Sequence, residues 1–124
     1  MQNPRNLRVY GQALEMALTI YQLTATFPAT ERFGLVTQMR RAAVSVGSNI
    51  AEGRGGNGNR ALIAYLRHAL GSLNELEFQL ELSGKLGYCT AEGSQVALAE
   101  VVAVRRGIIA LISRLRRRPE VHDA

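Results

Sequence analysis

The sequence predicts an all-α fold, an antiparallel up-down-up-down four-helix bundle, and three observations carry that prediction. Apolar residues recur at three- and four-residue spacing in four separate stretches of the 124-residue chain. Strong turn residues separate the stretches, at Pro28, in the glycine-rich run 53–58 and at Gly87. The connections between them are short, and helices so joined pack against their sequence neighbours. Hydrophobic residues make up 47% and charged residues 20%, which suits a globular core rather than a disordered chain. One domain spanning 1–124 is expected, since nothing resembles a linker or an internal repeat.

The first helix is predicted over about 6–26. It carries two apolar stripes, Val9, Ala13, Met16, Ile20, Leu23 and Phe27, and beside them Leu7, Leu14, Leu18 and Tyr21. Together they are wider than one face of a small core requires. Pro28 stops this helix, and Thr30 is a suitable N-cap for the next. The second helix, over about 31–52, turns Leu35, Met39, Ala43, Val46 and Ile50 inward until the glycine-rich run ends it. Asn59 is placed to cap the third helix, over about 60–85, with Leu62, Leu66, Ala69, Leu73, Leu76 and Leu80 as its core stripe. Gly87 closes that helix from just beyond its last turn.

The fourth helix, over about 94–117, starts near Thr90, Gly93 or Ser94 and ends before Pro119. One stripe is Ala97, Val101, Val104, Ile108, Leu111 and Leu115. A second holds Leu98, Val102, Arg105, Ile109 and Ile112, and a third row of Ala99, Ala103, Gly107 and Ala110 is made of small residues. A helix apolar on most of its circumference asks for more burial than three neighbours supply. The second stripe is therefore a candidate oligomer interface, with the small row permitting close helix approach.

The net charge is +5, and arginine supplies all of the cationic residues but Lys85. Up-down-up-down topology gathers Arg5, Arg8, Arg54, Arg60, Arg114, Arg116, Arg117 and Arg118 at one end, with Glu52, Glu120 and Asp123 as the nearby acids. The opposite end is nearly balanced, with Glu31, Glu81 and Glu92 against Arg32 and Lys85. Arginines at the end of the fourth helix also complement its dipole, at about 0.3–1 kcal/mol each, which accounts for one or two of them. The cluster as a whole suits an anionic partner such as RNA or DNA, bound more weakly as salt rises.

A polar stripe runs along the second helix through Gln38, Arg41, Ser45, Ser48, Asn49 and Glu52, and along the third through His68, Ser72, Glu75 and Gln79. Antiparallel pairing through the short turn is expected to set Glu52 opposite Arg60, Ser45 opposite His68, and Arg41 opposite Ser72 and Glu75. Such a network either fixes helix register or forms a binding surface.

Several chemistries find no support. The bundle-type di-iron signature Glu-x-x-His is absent, and Cys89 is the single cysteine, so neither a metal site nor an internal disulfide is expected. The glycine-rich run lacks the Gly-Lys-Ser/Thr ending of a phosphate-binding loop. No nucleophile is arranged with a base, and neither an enzyme nor a cofactor is expected. The most apolar stretch, 96–112, is interrupted by Glu100, Arg105 and Arg106, so no membrane span is predicted. Glu15 interrupts the first apolar stretch, which does not read as a secretory signal, and a cytoplasmic protein is expected.

Two longer segments carry a resemblance. Residues 33–53 end in Ser-Asn-Ile-Ala-Glu-Gly, and residues 70–82 contain Gly-Ser-x-x-Glu-x-x-x-Gln; Phe27-Pro28 lies upstream and Leu86-Gly87-Tyr88 downstream. In these the chain resembles the 23S rRNA intervening-sequence proteins, with Gly47 standing where that family often has proline. The resemblance implies a cytosolic four-helix bundle assembling as a homopentameric ring, of poorly established role. That family is in turn similar to accessory proteins of diversity-generating retroelements, basic pentamers that bind nucleic acid and a reverse transcriptase. Its pattern marks Gln38, Arg41, Ser45, Ser48, Asn49, Glu52, Gly53, Gly71, Ser72, Glu75 and Gln79. The function expected is binding of RNA or DNA through the arginine-rich end of a ring. A protein-recruiting scaffold without nucleic acid is the alternative.

Overall fold

A computed structural model describes residues 4–117, with side chains from Arg8 onward. Among these residues the chain forms four α-helices: α1 Pro4–Thr24, α2 Leu35–Gly53, α3 Asn59–Lys85 and α4 Ala91–Arg117, with a 3-10 turn at Ala29–Glu31. α1 packs on α2 and α4, and α3 packs on the same two, so the helices stand around a square in chain order. Each seam is antiparallel. Arg40 reaches Tyr21 and Thr24, Ser45 meets Ser72, Arg105 meets Asn74 and Glu77, and Gly107 lies against Val9 and Gln12.

The centre is apolar and filled from every helix. Met16 and Ile20 of α1, Met39, Val46 and Ile50 of α2, Leu66, Leu73, Leu76 and Leu80 of α3, and Val101 and Ile108 of α4 are all fully buried. These are the first stripes read from the sequence, and they bury because three- and four-residue spacing keeps them on one line of each helix. The second stripe of α1 behaves differently. Leu14, Leu18 and Tyr21 remain exposed, beside an apolar groove of about 230 Å³ between α1 and α2 lined by Ala13, Val44, Gly47 and Ala51.

Helix boundaries shift where turn chemistry intervenes. α1 ends at Thr24, whose hydroxyl donates back to the Ile20 carbonyl at 2.7 Å. Phe27 then tucks into the core against Tyr88, with ring centroids 5.5 Å apart. Thr30 is not the cap of α2. Pro28 starts a 3-10 turn, the chain uses residues 29–34 to round the corner, and Glu31 Oε1 accepts the Leu35 N–H at 3.1 Å instead. The other carboxylate oxygen of Glu31 accepts the Tyr88 hydroxyl at 2.8 Å, tying this corner to the α3–α4 connection. That hydrogen bond, with burial and the carboxylate charge, raises the Tyr88 pKa above its ordinary value.

Asn59 is the first residue of α3 rather than its cap; the cap position belongs to Gly58, at φ +92°, a conformation that side chains disfavour. α4 begins at Ala91, three residues before the predicted start, because the Thr90 hydroxyl accepts the Gly93 N–H at 3.0 Å. Gly87 closes α3 as expected, and the Tyr88 N–H returns to the Ser83 carbonyl.

α2 and α3 approach closely at Gly53, the last residue of α2. A Cβ there would stand 2.8 Å from Leu62 Cδ1 and 3.1 Å from Tyr65 Cβ. The leucine methyl can move, but Tyr65 Cβ is fixed by its backbone. Gly53→Ala should therefore destabilise by about 1–3 kcal/mol through overpacking. Gly71 is the contrast, a helical glycine with open space around its Cβ position. Gly71→Ala should stabilise the isolated chain by about 0.4–1 kcal/mol. Urea unfolding of both variants checks the pair, and equal effects would show that Gly53 is not a close-packing position.

Candidate nucleic-acid interface

The arginine end is assembled by all four helices. Arg8 is exposed on α1, Arg54 is the residue just past α2, Arg60 is exposed on the first turn of α3, and Arg114, Arg116 and Arg117 close α4. The seams set their levels. Gly107 lies level with Val9 and Gln12, so Arg114, about two turns on, stands near the level of the first turn of α1. The Arg105 contacts with Asn74 and Glu77 likewise bring the end of α4 alongside the start of α3. The Arg5 side chain and Arg118 lie outside the described residues. Arg67 joins the cluster, exposed on α3 and level with the last turn of α4. A count of helix ends overlooks it because it sits two turns inside its helix; projecting the α3–α4 pairing would have found it.

Arg54 does more than add charge. Its guanidinium carbon lies 4.4 Å from the centroid of the Tyr10 ring, and its Nε and Nη1 are buried with no acceptor among the described residues. A second stacked arginine, Arg40, serves the opposite end. It covers the Tyr21 ring at 4.5 Å while donating to the Thr24 hydroxyl and the Tyr21 carbonyl, so it caps the C-terminus of α1. Arg40 was missed in the sequence because its partners belong to another helix.

The polar stripe is real but its register is one turn away from the expected one. Ser45 meets Ser72, Oγ to Oγ at 2.9 Å, and not His68; Ser72 is accordingly taken by Ser45 and not by Arg41. The cause is the contact of Gly53 with Leu62 and Tyr65, which lets the first turn of α3 run past the end of α2. Asn49 Nδ2 donates to the Ser45 carbonyl at 2.8 Å and to its hydroxyl at 3.2 Å. Further along, Gln79 is buried and its Nε2 donates to Glu75 Oε2 at 3.3 Å, while the buried Ser83 hydroxyl bonds the Gln79 carbonyl at 2.8 Å. Gln38, Arg41, Glu52 and His68 are exposed along the same seam, whereas Ser48 turns to the other side of α2 and lines the α1–α2 groove.

The second stripe of α4 divides. Ile112 is only 7% exposed and belongs to the chain's own core, because it turns under the α3 side of the helix, so it is unsuited to an oligomer contact. Arg105 is engaged within the chain by Glu77 and Asn74. Leu98 is half-buried, whereas Val102 and Ile109 face outward at 37% and 52% exposure. Burial raises the pKa of the Cys89 thiol, which keeps it protonated and weakly nucleophilic. Among the described residues no cluster of three or more His, Cys, Asp or Glu is placed to hold a metal, and no helix is long and apolar enough to cross a membrane.

The model of the 23S rRNA-intervening sequence protein family matches residues 5–110. The chain belongs to that family. A crystal structure of a protein of unknown function from the S23 ribosomal protein family, from Bacteroides thetaiotaomicron, is similar to this chain. It superposes with a TM-score of 0.81 at 26% identity, covering 88% of this chain and 98% of that one. No curated protein matches. The runs that carry the family resemblance, 48–53 and 71–79, thus contribute Asn49, bonded to Ser45, and Gly53 from α2, and Ser72, bonded to Ser45, from α3, to the α2–α3 seam.

If the Ser45–Ser72 contact holds this register, the two hydroxyls must be energetically coupled. A double-mutant cycle with Ser45→Ala and Ser72→Ala should give a coupling of about 0.5–1.5 kcal/mol in urea unfolding. Additive single effects would assign these serines to a surface role instead.

Proposed function

We propose that this protein is a non-enzymatic bundle that binds RNA or DNA through its arginine end, as one subunit of a ring. The observation that carries the reading is the convergence of Arg8, Arg54, Arg60, Arg67, Arg114, Arg116 and Arg117 from all four helices onto one end. Phosphates attracted there displace counterions, so affinity is large at low salt and falls as salt rises. Dipole complementation explains arginines on the last turn of α4 but not those at the starts of α1 and α3, where a positive charge opposes the helix dipole.

Two apolar surfaces support self-association. The α1–α2 groove with Leu14, Leu18 and Val44 lies on one side of the square, and Val102 and Ile109 of α4 lie on the α3–α4 side, opposite. Unlike patches on opposite sides favour a head-to-tail contact, which closes into a ring when the rotation permits. A pentamer is the size the family resemblance implies, and a ring repeats the arginine end in every subunit. The retroelement accessory proteins that the family is similar to suggest a reverse transcriptase as a protein partner. A cytoplasmic setting suits an RNA ligand.

The wild-type chain should be retained on immobilised RNA at low salt and elute as salt rises, whereas Arg114, Arg116, Arg117 and Arg118 replaced together by glutamine should pass through. Retention unchanged by those substitutions would sink the nucleic-acid reading, and a specific protein recovered free of nucleic acid would favour the scaffold. Light scattering should give a multimer for the wild type and a monomer for Ile109→Asp; a monomeric wild type at micromolar concentration would remove the ring.

A further inference from the structure

Resting on the nucleic-acid reading of the arginine end, we propose that Tyr10 and Arg54 form a two-state subsite for single-stranded nucleic acid. Arg54 is parked on the Tyr10 ring until a phosphodiester draws it away, and the uncovered ring then stacks a base.

The parked state is poorly satisfied. The guanidinium lies 4.4 Å over the ring, yet its Nε and Nη1 are desolvated and find no acceptor among the described residues. Desolvated donors on a charged group without acceptors are unfavourable, and the cation–π contact returns only part of that loss. The planar fork of arginine is matched by two oxygens of one phosphate, so a phosphodiester offers Arg54 acceptors that the described residues do not supply. Arg8, Arg60 and Arg117, exposed at the same end of the bundle, raise the local concentration of such an anion.

The backbone around Arg54 allows the exchange. It is followed by Gly55, Gly56, Asn57 and Gly58, with positive φ at Gly56 and Gly58, so its neighbours impose little steric resistance to a small shift. Once Arg54 leaves, Tyr10 is an aromatic platform at the end of the apolar α1–α2 groove, next to Leu14, Ser48 and Ala51. An aromatic face beside a cationic track binds single strands, whose bases have free faces, in preference to duplexes.

The test uses the full chain with fluorescein-labelled oligouridylate, oligothymidylate and a mixed-sequence DNA duplex. Binding is followed by anisotropy across a salt series, and the Arg54 Nε–Hε resonance by NMR, assigned by its absence in Arg54→Lys. Both single strands are expected to shift that resonance and the Tyr10 ring signals. Equal binding of the two makes the shared phosphodiester and base the ligand; tighter oligouridylate binding adds the 2′-hydroxyl; either supports the site. Arg54→Gln should lower the slope of log affinity against log salt by about 0.7 on single strands, and Arg54→Lys should restore it. Tyr10→Leu should weaken single-strand binding roughly tenfold without changing the slope, and Tyr10→Phe should bind as the wild type. Wild-type affinity in both Arg54→Gln and Tyr10→Leu, with loss in the fourfold α4 variant, overturns the subsite and leaves the arginine end standing. An equal effect of Tyr10→Leu on the duplex also overturns it. No wild-type binding to any of the three probes removes both proposals.

Discussion

The close approach of α2 and α3 at Gly53 is the constraint on which the rest of the structure depends. With no side chain at Gly53, Leu62 and Tyr65 can lie directly over the end of α2. That contact fixes how far α3 runs past its partner, and the offset then propagates. It sets Ser45 beside Ser72, and it leaves the glycine-rich turn projecting beyond α2, where Arg54 swings onto Tyr10 of α1. A bundle of helices with uniform apolar stripes has several registers of similar energy, because Leu and Ala pack almost as well one turn away. One contact that is crowded by any side chain at position 53, with a few polar pairs that must meet, separates them.

The same bundle shows a division between what its core needs and what it presents. Each helix satisfies the central core with one stripe, buried along its middle and partly buried at Leu23, Leu35 and Leu115 near the helix ends. α1 and α4 then present a second set, Leu14, Leu18, Val102 and Ile109, that the described residues leave exposed. Charge is divided in the same way. Arg40 and Arg105 tie neighbouring helices together midway along their seams or at a helix end, and the arginines at the end opposite the α1–α2 corner are gathered from all four helices. The molecule has an apolar girth and a cationic end, and these are independent consequences of one topology.

Much of this was legible in the residues. The four stripes, Pro28, Gly87 and the glycine-rich run gave helix number and order, since each is a local signal that acts within one or two turns. Short connections made the antiparallel order follow, and with it the collection of Arg8, Arg54, Arg60 and Arg114 at one end. Capping was read less well. Thr30 and Asn59 are good cap residues by type, but Glu31 and Gly58 do the work at those corners, because Pro28 and the left-handed turn decide where the helical backbone can begin. The pairing of Ser45 with His68 failed by one turn for a related reason: a short loop limits the distance between helix ends without fixing the offset.

The sequence by itself determined that this chain forms four amphipathic helices, in what order they pack, and which family it belongs to. Those properties follow from periodicity and from motifs read along the chain. Only the tertiary structure decided that Ile112 is core while Ile109 is surface, and that Arg67 belongs to the cationic end. It alone brought Arg54 and Tyr10 together. The physical reason is common to all three. Each depends on the rotation and axial offset of one helix against another, which are set by side-chain contacts between segments far apart in sequence, and no local spacing rule encodes them.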